Sequence, residues 1–216
     1  HALEIKAFID RHAPQRVVVM GAGAIGLEMC EAFQKLGMEV HLVDVAERVL
    51  PPVDPDISSR IASHLEGHGV KLHLGTKVEG FLGTRGHVSA VSTSVGDIAA
   101  ELVLVSVGIR PASDLARRAG LELGARDAIR VDEGMRTSHP DILACGDCAT
   151  TRHLITGEET WIPLGSTARK QGRVAAETAA GNRASFPGVQ GTFILKVMDL
   201  TVGKTGLSLQ EARGAG

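Results

Sequence analysis

Three glycines and one aspartate have the residue types and spacing for a specific chemistry. Gly21, Gly23 and Gly26 form a G-x-G-x-x-G run, and Asp44 follows about 20 residues further on. In such a run the first glycine makes a tight turn, the second lets the backbone approach a pyrophosphate, and the third lets a helix sit close to a strand. Ala24 and Ile25 fall at the start of that helix, where N–H groups without intrahelical partners face an anion. A carboxylate at the end of the next strand accepts both hydroxyls of an adenosine ribose and repels a 2′-phosphate. Asp44 therefore favours NAD over NADP, and Arg48 reads as a solvated surface charge rather than a phosphate ligand.

That arrangement needs a strand before the glycines and a strand ending in the acid, and the sequence supplies both. Residues 17–20, VVVM, are a continuous apolar run, as expected of a parallel strand covered on both faces. From 24 to 36 the apolar positions Ile25, Met29, Phe33 and Leu36 follow the helical period, Gly37 stops it, and residues 40–43 form the second strand. Before them, Leu3, Ile5, Phe8 and Ile9 suggest a short amphipathic entry helix. After them, Asp54 and Pro55 open a helix with Ile57, Ile61 and Leu65 spaced four apart. Short stretches at 71–74, 78–82, 87–94 and 97–100, broken by glycines, read as a strand and a β-meander. The run LVLVSV at 102–107 is a further strand, and Val107 and Gly108 at its end are candidate backbone contacts to the dinucleotide.

Composition narrows the class. The chain has 216 residues, 44% hydrophobic and 22% charged, with a net charge of -2, which points away from nucleic acid or a membrane surface as partner. There is no apolar run of membrane-spanning length, no secretory signal, and no disulfide framework in three cysteines, so a cytoplasmic location is expected. The ends, His1 and Arg213-Gly-Ala-Gly, suggest a fragment.

A second glycine motif changes the reading. Residues 135–149, MRTSHPDILACGDCA, place Thr137 before the apolar run Ile142-Leu143-Ala144 and then Gly146-Asp147. On these residues the chain resembles the pyridine nucleotide-disulfide oxidoreductase family of flavoproteins, whose second flavin motif has a threonine, an apolar strand and Gly-Asp. The resemblance implies that Gly146 approaches FAD closely and that Asp147 binds a ribityl hydroxyl. It also implies that Leu164, Ser166 and Thr167, in the run PLGSTARKQGRVAA, face the flavin ring from a helix start. Glu28, two residues beyond the third glycine, matches a glutamate near the nicotinamide. The segment 191–208, GTFILKVMDLTVGKTGLS, resembles the start of the interface domain in the branch of NADH oxidases, NADH peroxidases and coenzyme A-disulfide reductases.

The expected fold is α/β: a Rossmann-like three-layer nucleotide-binding domain with a central parallel sheet, helices and a β-meander, plus a partial FAD domain. The expected divisions are an entry helix at 1–15, the NAD(P)-binding domain at 16–110, the C-terminal part of an FAD domain at 111–185, and a truncated dimerisation domain at 186–216. The implied activity of the intact homodimer is hydride transfer from NADH to FAD, then on to a disulfide, peroxide or oxygen. No catalytic residue is assigned within this chain, because the family's N-terminal flavin half and its redox cysteine have no counterpart here. Residues 142–144 and the helix at 168–180 would then have apolar faces exposed, mobile or covered by another copy of the chain. Two other readings are an NAD-sensing module without catalysis and a ferredoxin-reductase-like flavoprotein.

Some chemistry-bearing residues are set aside. Cys30 reads as buried packing, and Cys145 and Cys148 flank a Gly-Asp at a strand end rather than opening a helix, which argues against a redox or zinc pair. His64 and His68 have chelating spacing, but H-L-E-G-H is not H-E-x-x-H and the sequence offers no third ligand nearby, so no metal site is expected.

Overall fold

In the computed structural model, which describes residues 2–215, the chain opens with helix α1 (Ala2–His12) and strand β1 (Arg16–Met20). There follow α2 (Ala24–Lys35), β2 (Glu39–Val43), α3 (Pro55–Gly67) and β3 (Lys71–His73). The meander comprises β4 (Val78–Thr84), β5 (His87–Thr93) and β6 (Gly96–Ala99), and β7 (Leu102–Val105) comes next. Among the described residues, β3-β2-β1-β7 form a sheet in that order, and every pairing in it is parallel. This is a Rossmann-like α/β arrangement.

Alternation along the strands distributes the core over both faces of the sheet. On one face, Val18 and Val43 pack with Val91, Ile98 and Ala100, so the meander forms a covering layer. Helix α2 packs on β1 and β2, and α3 on β3. The buried residues of α2 are Gly26, Leu27, Cys30 and Phe33, while Ile25 and Leu36 are exposed, so the buried stripe is rotated from the 25/29/33/36 set that the period suggests. Glycine at position 26 explains the rotation, because it brings the helix backbone itself against the turn. Helix α1 is amphipathic but buries no residue, and its Phe8 stacks on His12 at 4.6 Å between ring centroids. The expected strand at 102–107 pairs only to Val105, after which Ser106 turns its hydroxyl to the Met20 carbonyl and Val107 is left exposed.

The remaining chain carries less regular structure: α4 (Asp114–Arg118), a 3-10 turn at Ala125–Asp127, β8 (Thr151–Arg152), β9 (Glu159–Thr160) and α5 (Gly165–Ala179). The hairpin β10 (Phe193–Val197) and β11 (Leu200–Lys204) and helix α6 (Leu209–Gly214) complete it. A capping box fixes α6: Ser208 Oγ accepts from Glu211 N, and Ser208 N donates to Glu211 Oε2.

The chain divides into two compact units, residues 1–108 with 195–202, and residues 109–194 with 203–216. In the second unit the expected strand at 142–144 is reduced to an isolated bridge of Leu143 with Arg136, flanked by bonds from Thr137 N to Ile142 O and from Ala144 N to Met135 O. Ile142 and Ala144, partly buried, pack on Ala116, Leu121 and Ile129. A second cluster in this unit joins Met135, Val174 and Phe186.

Candidate functional site

The glycine turn between β1 and α2 is held from several directions. Gly21 has φ +105, and a Cβ there would stand 2.3 Å from the Ser106 carbonyl oxygen, so only glycine fits. A Cβ on Gly26 would stand 1.9 Å from the Gly21 oxygen, which means that helix and turn are in direct backbone contact. Gly23 differs: it is the N-cap of α2, and apart from its chain neighbours no described atom lies within 4 Å of where its Cβ would be. Two glycines are thus required by the protein's own packing, and the third leaves open space at a helix N-terminus. Ala24 and Ile25, the next two residues, are exposed beside it.

Asp44, half-buried at the end of β2, braces the same turn. Its Oδ2 accepts from Ala22 N at 2.6 Å and its Oδ1 from Ala46 N at 2.8 Å. Gly21 N donates to Val43 O at 2.8 Å, and Leu50 N to Ala22 O at 2.8 Å. Each carboxylate oxygen retains capacity for a further donor such as a hydroxyl. Arg48 donates to the Pro51 carbonyl at 3.1 Å. Glu28 is exposed in the second turn of α2, and Val107 and Gly108 (φ +109) are exposed just past β7. The sequence reading passed over Ser106, whose Oγ donates to Met20 O at 2.8 Å and lies 3.2 Å from a Gly26 Cβ position. A single polar residue inside LVLVSV was the available signal.

The second glycine motif is held by side chains. Gly146 (φ +83) donates its N–H to Gln171 Oε1 at 2.8 Å, while Gln171 Nε2 donates to Thr150 O at 3.1 Å. Gln171 is fully buried in α5, and nothing in the sequence motif points to it. Thr137 turns its hydroxyl to Ile142 O at 2.9 Å and accepts from His139 N at 3.1 Å, which pins the preceding loop. Asp147 is exposed, and its carbonyl accepts from Trp161 Nε1 at 2.8 Å. Leu164 is the N-cap of α5, Ser166 is exposed in its first turn, and Thr167 is buried. Leu164 and Ser166 line a groove with Thr192, Phe193 and Lys204.

The cysteines are free thiols. Burial pushes Cys30 up to about 12, and burial likewise raises Cys148, whose Sγ contacts the Cys145 carbonyl at 3.4 Å. Neither thiol is poised as a thiolate. The histidine pair departs from the sequence expectation. The turn of the β10–β11 hairpin brings Asp199 to them, with Oδ1 2.6 Å from His64 Nε2 and 3.5 Å from His68 Nε2. Sequence proximity could not supply this neighbour, because chain folding alone joins helix and hairpin.

Comparison with known proteins adds to this geometry. The family model described as pyridine nucleotide-disulphide oxidoreductase matches residues 4–172. The chain is 41% identical over 214 residues to the NAD(P)H sulfur oxidoreductase (CoA-dependent) of Pyrococcus furiosus, covering 98% of this chain and 48% of that protein. Its structure is similar to that of the NAD-dependent persulfide reductase from A. fulgidus, with a TM-score of 0.94 and 40% identity, covering 100% of this chain and 40% of the other. The water-forming NADH oxidase from Lactobacillus brevis, solved bound to NADH, gives a TM-score of 0.91 at 32% identity, covering 100% of this chain and 48% of that one. The chain spans about half the length of the curated relatives that it matches. With its family model matched over most of the sequence and its fold matched at TM-scores above 0.9, the chain belongs to the pyridine nucleotide-disulphide oxidoreductase family.

Proposed function

We propose that this chain supplies the NADH site of an FAD-dependent oxidoreductase that passes hydride from NADH to FAD and on to a disulfide, peroxide or oxygen. The observation that carries the reading is the contrast within the glycine turn. Gly21 and Gly26 are fixed by contacts below 2.5 Å to any Cβ, whereas Gly23 opens onto free space beside the N–H groups of α2. That space leaves room for a pyrophosphate to approach the backbone, and the helix start favours its charge. Asp44 then receives the adenosine ribose, and its negative charge selects NAD against NADP. Val107 and Gly108 lie along the dinucleotide, and Glu28 stands on the nicotinamide side.

FAD held here would supply the redox chemistry between the nicotinamide and the acceptor. This chain's share is to hold Gly146 and Asp147 toward the ribityl chain and to present Leu164, Ser166 and Thr167 from the start of α5. In this reading residues 16–110 are the NAD domain, residues 111–185 belong to the flavin domain, and residues 186–216 begin the interface through which the intact enzyme dimerises. Support for the acceptor class comes from the relatives named for sulfur and oxygen chemistry.

Calorimetric titration with NADH and NADPH tests the donor site. NADH binds more tightly, and Asp44→Ala weakens it at least about tenfold, near 1.4 kcal/mol, while narrowing the preference over NADPH. Asp44→Asn, which keeps an acceptor oxygen for the turn, separates loss of the ribose contact from loss of fold, with circular dichroism as the control. Unchanged NADH affinity in both variants overturns the reading.

A further inference from the structure

Helix α3 ends with His64 and His68 one turn apart on a common face, their rings 4.4 Å between centroids. Opposite them stands Asp199 in the turn of the β10–β11 hairpin, and the nearest ligand atoms of the three residues all lie within 4.8 Å of one another. All three belong to the first compact unit. The hairpin tip is anchored beside them: Leu195, Val197 and Met198 are buried, and Lys196 Nζ lies 3.6 Å from Glu31 Oε1 of α2. Gln34 of α2 donates to the His68 carbonyl.

With both rings neutral, the donor and acceptor roles at this cluster do not all close. His68 Nδ1 can only donate to the His64 carbonyl, 2.8 Å away, so in the neutral ring its Nε2 carries a lone pair. That lone pair faces the Asp199 carboxylate at 3.5 Å, an acceptor facing an acceptor. His64 Nε2 is shielded from solvent and lies 2.6 Å from Asp199 Oδ1, to which it can donate as the Nε2–H tautomer. A proton on one ring would satisfy one pair. A divalent cation would satisfy both imidazoles and the carboxylate together.

We propose that His64, His68 and Asp199 bind a borderline transition-metal ion, Zn2+ being the best fit, as a clasp between α3 and the β10–β11 turn. Two imidazole nitrogens and one carboxylate oxygen suit Zn2+ and its neighbours, whereas Mg2+ and Ca2+ prefer all-oxygen sets. Tetrahedral bonds of about 2.0–2.2 Å separate ligand atoms by roughly 3.3 Å. The 3.5 Å pair meets this, and the 2.6 Å pair needs a small opening that Asp199, 79% exposed on its turn, can make. The bond from His68 Nδ1 to a carbonyl is the outer contact that orients a ligating imidazole. The fourth position is left to water.

The test is calorimetric titration of the chain, stripped with chelator, with Zn2+ alone. One equivalent binds with micromolar or tighter affinity, and the melting temperature rises with added Zn2+. Asp199→Asn and His68→Ala, both at exposed positions, each weaken binding at least tenfold and abolish the thermal shift, and His64→Ala with His68→Ala eliminates binding. Cys145→Ser with Cys148→Ser leaves it unchanged. Absence of saturable binding, binding that survives loss of both histidines, or binding lost only with the cysteines would each overturn the proposal.

Discussion

The two glycine motifs of this chain solve the same local problem with different means. At Gly21–Gly26 the turn is closed by backbone: Gly21 N bonds to Val43 O, Ser106 N to Met20 O, and a Gly26 Cβ would collide with the Gly21 carbonyl. Strands with four to five residues in register surround it, and the side chain that matters, Asp44, adds to a frame already set. Around Gly146-Asp147 the backbone makes only isolated bridges, such as Ile129 N to Cys148 O, and the buried Gln171 and the Thr137 hydroxyl add holds from their side chains. The difference teaches that a motif in a regular sheet is protected by repetition. A motif in irregular structure depends on individual buried polar groups, each costly to lose.

Mutations sharpen that comparison. The largest effect is expected from Gly26→Ala, because its Cβ meets backbone that has nowhere to move; the loss of stability should reach about 3 kcal/mol, the upper range for overpacking, read by urea unfolding. Gln171→Leu comes next. It strands the Gly146 N–H and the Thr150 carbonyl inside the second unit, at about 1–3 kcal/mol, and hydrogen exchange should speed up there while the parallel sheet keeps its protection. If exchange rises equally in the sheet, the two motifs are not independently held. Smallest in stability is Gly23→Ala, whose Cβ enters open space and should shift stability by less than about 0.5 kcal/mol. Its NADH affinity should nonetheless fall about tenfold, since the methyl group occupies the proposed phosphate position. Tight NADH binding by this variant would contradict the assignment of that space.

Local chemistry made much of the first unit legible. The apolar run at 17–20, the glycine spacing, Asp54-Pro55 ahead of α3 and the glycine-broken meander each follow from short-range rules, and each corresponds to an element observed. Errors arose where periodicity stood in for packing. The buried face of α2 is set by the contact at Gly26, and so Ile25 and Leu36 are exposed despite their spacing. Residues 142–144 look like a strand, but only Leu143 finds a ladder partner.

The sequence by itself determined the glycine turn, its acid and the order of elements around them, because those depend on residues less than a helix and a strand apart. Tertiary structure alone decided which polar groups meet across long stretches of chain: Ser106 under the turn, Gln171 behind Gly146, and Asp199 against His64 and His68. Such pairs leave no periodic trace, since each partner reads as an ordinary surface or core residue until the chain is folded.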